Sequence, residues 1–237
     1  MAAGKTLARR TTCRWSPLAG LIIAIPAVCV AVLLHSLSVH ALLIALLVMV
    51  AFTTTTGALH EDGLADVADG FGGGHTVELK LDIMRDRTIG TYAGCSISLS
   101  LAIRAAGFFI AYDSLGMIGL LCIIFASCSV SRAAMLWPWS TQSPARKSGG
   151  LSANHGQPTT TDFFIATIIS VVVLAITLIP LTGFFATAMV VLCTAIAVAA
   201  FVWFCQNQVG GHTGDTLGAT QQIAEIAVLV TITSWIA

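Results

Sequence analysis

Five aspartates carry most of the chemistry this sequence offers. Asp62, Asp66 and Asp69 fall at i, i+4 and i+7, and Asp82 and Asp86 repeat the i, i+4 step. On a helix the first set puts three carboxylates on one face. Like charges so close repel, so the arrangement is costly unless a cation neutralises it. Carboxylate oxygens suit a hard ion such as Mg²⁺. The glycines at 70 and 72–74 are expected to break the helix between the two sets and let them fold toward each other. Two acidic faces around a divalent ion would hold a diphosphate, the metal bridging its oxygens and neutralising the leaving group. The expected metal ligands are Glu61, Asp62, Asp66, Asp69, Asp82 and Asp86, with Asp66, Asp82 and Asp86 nearest the reacting atoms.

Other readings of the acids fit less well. Seven of the eleven acids, including Glu78, lie between residues 61 and 86, beside only Lys80, Arg85 and Arg87. Three cations cannot pair seven acids, so a merely structural ion-pair cluster is disfavoured. An EF-hand would need acids at alternate positions with a glycine sixth. The glycine run is not followed by Gly-Lys-Ser/Thr, so it is no P-loop. Aspartate-rich membrane prenyltransferases share the logic, but their two motifs are expected on well-separated helices.

The elements that position these residues follow from composition. The chain has 237 residues, 57% hydrophobic and 9% charged, with a mean hydropathy of +0.91. Soluble domains carry about 25% charged residues, so lipid must be part of the solvent. Eleven basic and eleven acidic residues leave no net charge to attract nucleic acid. Seven cysteines, odd in number and without a CxxC pair, indicate neither a disulfide framework nor a zinc site. The expected fold is all-α and polytopic, one membrane-embedded domain over 1–237 with about seven spans. These are Pro17–Leu34, His40–Leu59, Tyr92–Ala111, Leu115–Trp137, Phe163–Pro180, Phe184–Phe204 and Ile223–Ile236. Tight turns are expected at Asp113–Ser114 and Leu181–Gly183.

Positive charge in short loops marks the cytoplasmic side. Lys5, Arg9, Arg10 and Arg14 therefore put the N-terminus inside. Segments 60–91, 138–160 (with Arg146 and Lys147) and 206–219 then share the cytoplasmic face, and the C-terminus lies outside. Arg104, Arg132 and Glu225 sit at membrane depth, where ionisable residues are functional by default. Histidines 60, 75 and 212 flank the motifs.

The central stretch closely resembles the cobalamin synthase family, the adenosylcobinamide-GDP ribazoletransferases. The resemblance rests on Gly57-Ala-Leu-His-Glu-Asp-Gly-Leu-Ala-Asp-Val-Ala-Asp-Gly-Phe-Gly-Gly-Gly74 and Ile83-Met-Arg-Asp-Arg-Thr-Ile-Gly-Thr-Tyr92. Ser131-Arg132, Pro144-Ala-Arg146, Gly210-Gly-His-Thr-Gly-Asp-Thr-Leu-Gly-Ala219 and Glu225 extend it over nearly the whole chain. Two departures are a short start, with Thr12-Cys-Arg-Trp-Ser-Pro17 in place of a Thr-Arg-x-Pro segment, and Arg87 after Asp86.

The resemblance implies a late step of cobalamin biosynthesis. A hydroxyl of α-ribazole, or of its 5′-phosphate, attacks the phosphorus of adenosylcobinamide-GDP nearest the aminopropanol, and GMP leaves. Arg85, Arg132, Arg146, Thr213 and Asp215 are the residues expected to contact substrate. Mg²⁺ is the expected cofactor, the cytoplasmic (inner) membrane the location, and the two small molecules and the bilayer the partners. A homo-oligomer or an association with other corrinoid-pathway enzymes is left open. Paired acids also echo membrane CDP-alcohol phosphotransferases, by analogy only. A transporter would spread its charges at the midplane of repeated halves rather than crowd them into one loop.

Overall fold

The computed structural model describes residues 13–146 and 156–237; Lys5, Arg9, Arg10, Thr12 and Lys147 lie outside them. Among the described residues all regular elements are helical, apart from an isolated bridge between Pro144 and His212. A 3₁₀ turn, Cys13–Trp15, leads into α1 (Ser16–Ser36) and α2 (Ala41–Thr56). Then come α3 (Leu59–Gly73), α4 (Val77–Ile83), α5 (Thr91–Ala134), α6 (Leu136–Thr141), α7 (Thr160–Val209) and α8 (Gly214–Ile236).

Two glycines divide the longest helices. At Gly116 the backbone adopts φ 69°, ψ −168°, and at Gly183 φ 84°, ψ 171°. Only glycine reaches such angles without a Cβ penalty. The turn expected at Asp113–Ser114 is therefore displaced: both residues are helical, and the break falls at Gly116. The break expected at Leu181–Gly183 falls at the glycine itself.

Cys13–Ser36, Thr91–Thr141 and Thr160–Val209 are long and apolar enough to cross a membrane, and α2 with α3 adds a fourth if the bent pair is one span. α5 and α7 each run through two of the segments expected as separate spans. α2, at 16 residues, is short for a span, and Gln221, Gln222 and Glu225 dilute the apolar character of α8. Ile22, Ile118, Ile176, Phe184, Phe185 and Trp203 are between 65% and 77% exposed. A water-facing surface would not present so many large side chains, whereas lipid accommodates them at no cost.

Small residues set the packing. Ala24, Ala27 and Ala31 line the buried side of α1 and join a core with Ile44, Val48, Phe52, Phe108 and Ile124. Close approach through small side chains is how helices associate where lipid removes the hydrophobic drive. Arg14 reaches Asp162 at 2.8 Å, and Asp162 closes a capping box with Thr159 at the start of α7.

Between α2 and α3 the chain turns by 88° through left-handed Gly57 and Ala58, with φ values of 62° and 57°. Ala58 pays a strain cost for this conformation. The turn swings the acid-bearing helix across the end of α2.

Candidate active site

Helix α3 sorts its residues by face. Glu61, Gly63, Ala65, Val67 and Gly70 are buried, while Asp62 is exposed and Asp66 and Asp69 half-buried. The three aspartates thus share a helix as their spacing predicts, but the helix does not stop at Gly70. It runs through the glycines to Gly73, because those glycines are packed rather than flexible. A Cβ on Gly70 would meet Met84, and one on Gly72 would meet the Tyr92 ring. α4 then carries Asp82 and ends at Ile83, so Asp86 lies beyond it and the second i, i+4 pair is not on one helix.

Gly63 brings α3 against the start of α8: a Cβ there would lie 2.8 Å from the Asp215 carbonyl oxygen. This contact places Asp215 in the field of the α3 acids. The Asp66 carboxyl is pushed up to about 7, by burial first and then by Asp215 and Asp62, with Arg146 opposing. Burial raises Asp215 too, against the pull of Arg146 and a hydrogen bond from Thr213 Oγ1 at 3.2 Å. Arg146 sits 3.6 Å from the Asp215 carboxylate and donates to the Leu81 carbonyl at 3.1 Å. A short pairing of main chains carries it there: Ala145 N–H donates to His212 O at 2.9 Å and His212 N–H to Ser143 O at 3.0 Å. Arg85 adds positive charge near Asp215.

Asp69 has a second task. Its carboxylate accepts from Gly90 N–H at 2.6 Å and Ala93 N–H at 2.9 Å, satisfying the open N–H groups at the start of α5. It also lines an open cavity with Asp86, Thr88, Thr91 and Tyr92. Asp86 accepts from Thr88 N–H at 3.1 Å. Asp82 is exposed on α4, and Lys80 ties α4 to the end of α7 through Gln208 at 2.5 Å.

Among the described residues no three or more His, Cys, Asp or Glu side chains are grouped so that they could hold a metal ion by themselves as a protein cage. Mg²⁺ rarely uses one: it keeps several waters and takes one or two carboxylates plus substrate phosphates. The all-oxygen donor set fits such an ion, and the excess negative charge around Asp66 is what a cation would relieve.

Glu61 and Arg132 face elsewhere. Arg104 Nη1 donates to Glu61 Oε1 at 2.7 Å and to Gln222 Oε1 at 3.0 Å, while its Nη2 reaches Glu225 Oε1 at 3.0 Å. Gln221 donates to Glu225 Oε2 at 2.7 Å, and Ser100 to Gln222 at 2.9 Å. All of these residues are buried. Arg132 donates to its own helix at Cys128 O, 3.2 Å, and lines a small enclosed space with His60, Glu61, Arg104 and Glu225. Two arginines and two glutamates balance. His60, at the rim of this lattice, is pushed down to about 4 by burial and by Arg132, so it is neutral near pH 7. Glu61, expected among the metal ligands, is thus engaged as the partner of Arg104; neighbouring helix positions diverge by about 100°, so it cannot share the aspartate face.

The sequence reading did not anticipate Ser100, Gln221 or Gln222. The signal was present: adjacent glutamines inside an apolar helix are costly unless they are hydrogen-bonded.

Fold and site together define an all-helical membrane protein in which the acids of α3 meet Asp215 and Arg146, beside an open cavity lined by Asp69 and Asp86. The family model described as cobalamin-5-phosphate synthase matches residues 3–233. Among similar proteins is the adenosylcobinamide-GDP ribazoletransferase of Sinorhizobium medicae, 44% identical over 215 residues, covering 90% of this chain and 81% of that protein. Proteins of the same name from Rhizobium meliloti and Azorhizobium caulinodans are 42% and 36% identical, each over 90% of this chain and over 81% and 80% of theirs respectively. The chain belongs to the cobalamin synthase family. No solved structure matches it.

Proposed function

We propose that this chain joins adenosylcobinamide-GDP to α-ribazole or its 5′-phosphate, releasing GMP. The ribazole hydroxyl oxygen bonds to the phosphorus nearest the aminopropanol and loses its proton. The bond from that phosphorus to the bridging oxygen breaks, and GMP leaves with that oxygen. The carrying observation is the gathering of Asp62, Asp66, Asp69 and Asp215 where α3 meets α8; burial first, and then these neighbouring carboxylates, push the Asp66 carboxyl up to about 7. Asp62, Asp66, Asp69, Asp82 and Asp86 are the residues that would hold Mg²⁺. When bound, Mg²⁺ supplies neutralising charge for the diphosphate and the departing GMP. Arg146 and Arg85 bring cationic donors to the same acids, while Thr213 orients Asp215. Arg132 acts from the adjoining lattice, at the N-terminal end of the acid helix.

The deciding experiment incubates the membrane-embedded protein with adenosylcobinamide-GDP, α-ribazole and Mg²⁺. GMP and a completed corrinoid should form together and stop with chelator. Turnover of CDP-linked donors instead, or corrinoid transport without GMP release, would discard the assignment.

We further infer that the chain is a single catalytic unit of seven crossings in the cytoplasmic membrane, α5 and α7 each crossing twice around Gly116 and Gly183. The absence of lysine and arginine near residues 35–39, 112–114 and 181–183 supports this orientation. Single cysteines in a cysteine-free variant test it. Cysteines at Thr182 and Ala237 should label from outside intact cells, and one at His75 only after permeabilisation. Outside labelling at position 75 would invert the topology.

A further inference from the structure

Tyr92 is the second residue of α5, and its side chain is unusual for the start of a membrane helix because its ring is fixed yet open. It is 58% exposed, and its position is imposed by Gly72. A Cβ built on Gly72 would lie 2.6, 2.7 and 2.8 Å from Cδ2, Cγ and Cε2 of the ring. Three consecutive ring atoms at nearly equal distance mean that the ring lies flat across the Gly72 backbone. The same ring lines the open cavity with Asp69, Asp86, Thr88 and Thr91. The main chain at its root is held as well, since Asp69 accepts from Gly90 and Ala93 on either side of it.

We propose that Tyr92 is a stacking platform for the fused heteroaromatic base of a substrate, beside the carboxylates that handle its phosphates. A tyrosine fixed in place supplies flat contact area at little cost in conformational entropy. Every base has a π-face it can use. The choice of ligand rests on the reaction proposed above: both reactants carry such a ring, guanine on the donor and benzimidazole on α-ribazole. An interfacial tyrosine that merely anchors a helix in the headgroups would need neither a glycine cut to its ring nor a wall of the acidic cavity.

Equilibrium binding of GDP and, separately, of α-ribazole to the detergent-solubilised full chain tests this with Tyr92→Leu, Tyr92→Phe and Gly72→Ala. Tyr92→Leu is expected to weaken one of the two ligands about tenfold, the scale of one lost base stack, and to leave the other unchanged. The ligand that weakens identifies the stacked base. Tyr92→Phe should bind like the parent, because stacking does not use the hydroxyl. Gly72→Ala, whose methyl displaces the ring, should weaken the same ligand, and the double variant should lose no more than Tyr92→Leu. Unchanged binding of both ligands in Tyr92→Leu, equal loss of both, an equal loss in Tyr92→Phe, or no binding to the parent protein overturns the platform. Parent protein that binds a ligand through Tyr92 but forms no product overturns the proposed reaction and leaves the platform standing.

Discussion

Asp66→Asn should lose turnover by about 100-fold or more while melting at a higher temperature than the parent protein at pH 8 in chelator. The two effects share one cause. Asp66 is ordinarily a carboxylate of pKa 3.8, and in the folded chain it sits at about 7. The folded state therefore keeps a proton that the unfolded state releases, so the parent loses stability as pH rises from about 4 to about 7. Asparagine cannot ionise, and the variant escapes that loss. Asp66 is half-exposed, so solvent screens the effect and the rise should be only a few degrees. Mg²⁺ at pH 8 should raise the melting temperature of the parent more than that of the variant. Near-normal turnover in Asp66→Asn, or a parent whose melting is flat between pH 5 and 8, would show that this carboxylate is not the crowded one.

Arg104→Leu should destabilise the protein by about 3–5 kcal/mol, because it strands two buried carboxylates. Glu61 and Glu225 are 5% and 1% exposed, and each takes its ion pair from Arg104. Neutralising Glu61 is the control. In the double variant Arg104→Leu, Glu61→Gln, which leaves Glu225 to balance Arg132, most of the lost stability should return, since the penalty lies in unpaired charge rather than in the absence of the arginine. Thermal unfolding in detergent reads both. A double variant as weak as the single one would mean that Arg104 contributes by packing alone.

The positions of the apolar segments and the shared helix of Asp62, Asp66 and Asp69 follow from local pattern, whereas the meeting of Arg146 and Asp215 with those acids is expected only from counting helices across the bilayer and from the family resemblance. Periodicity reports what one helix does with its own faces. It does not report which glycines are packed: the break expected in the glycine run falls at its end, at Gly74, while Gly70 and Gly72 stay helical against Met84 and Tyr92, partners outside α3. Asp86 misled in the opposite way, its spacing from Asp82 being helical although α4 stops between them. Glu61 is the sharpest case. Adjacent to Asp62 in sequence, it belongs to a lattice completed by Arg104 and Glu225, 43 and 164 positions away, and pairings at that range leave no local trace. Tyr92 escaped notice because an aromatic at a helix start is common, and only its glycine seat distinguishes it.

The lattice around Arg104 also fixes an order of events. A ribosome delivers Glu61 first, Arg104 next and Glu225 only with the last helix. For the time needed to make the intervening chain, Glu61 alone faces Arg104 and Arg132, and the half-built bundle carries an unbalanced charge in lipid. Arrival of α8 supplies the second carboxylate together with Gln221 and Gln222, and in the same movement lays Asp215 against Gly63. The residues that settle the buried charge and the residue that completes the acidic pocket ride on one helix. A chain that has not seated its last helix therefore lacks both the carboxylate that completes the buried charge balance and the aspartate that joins the α3 acids.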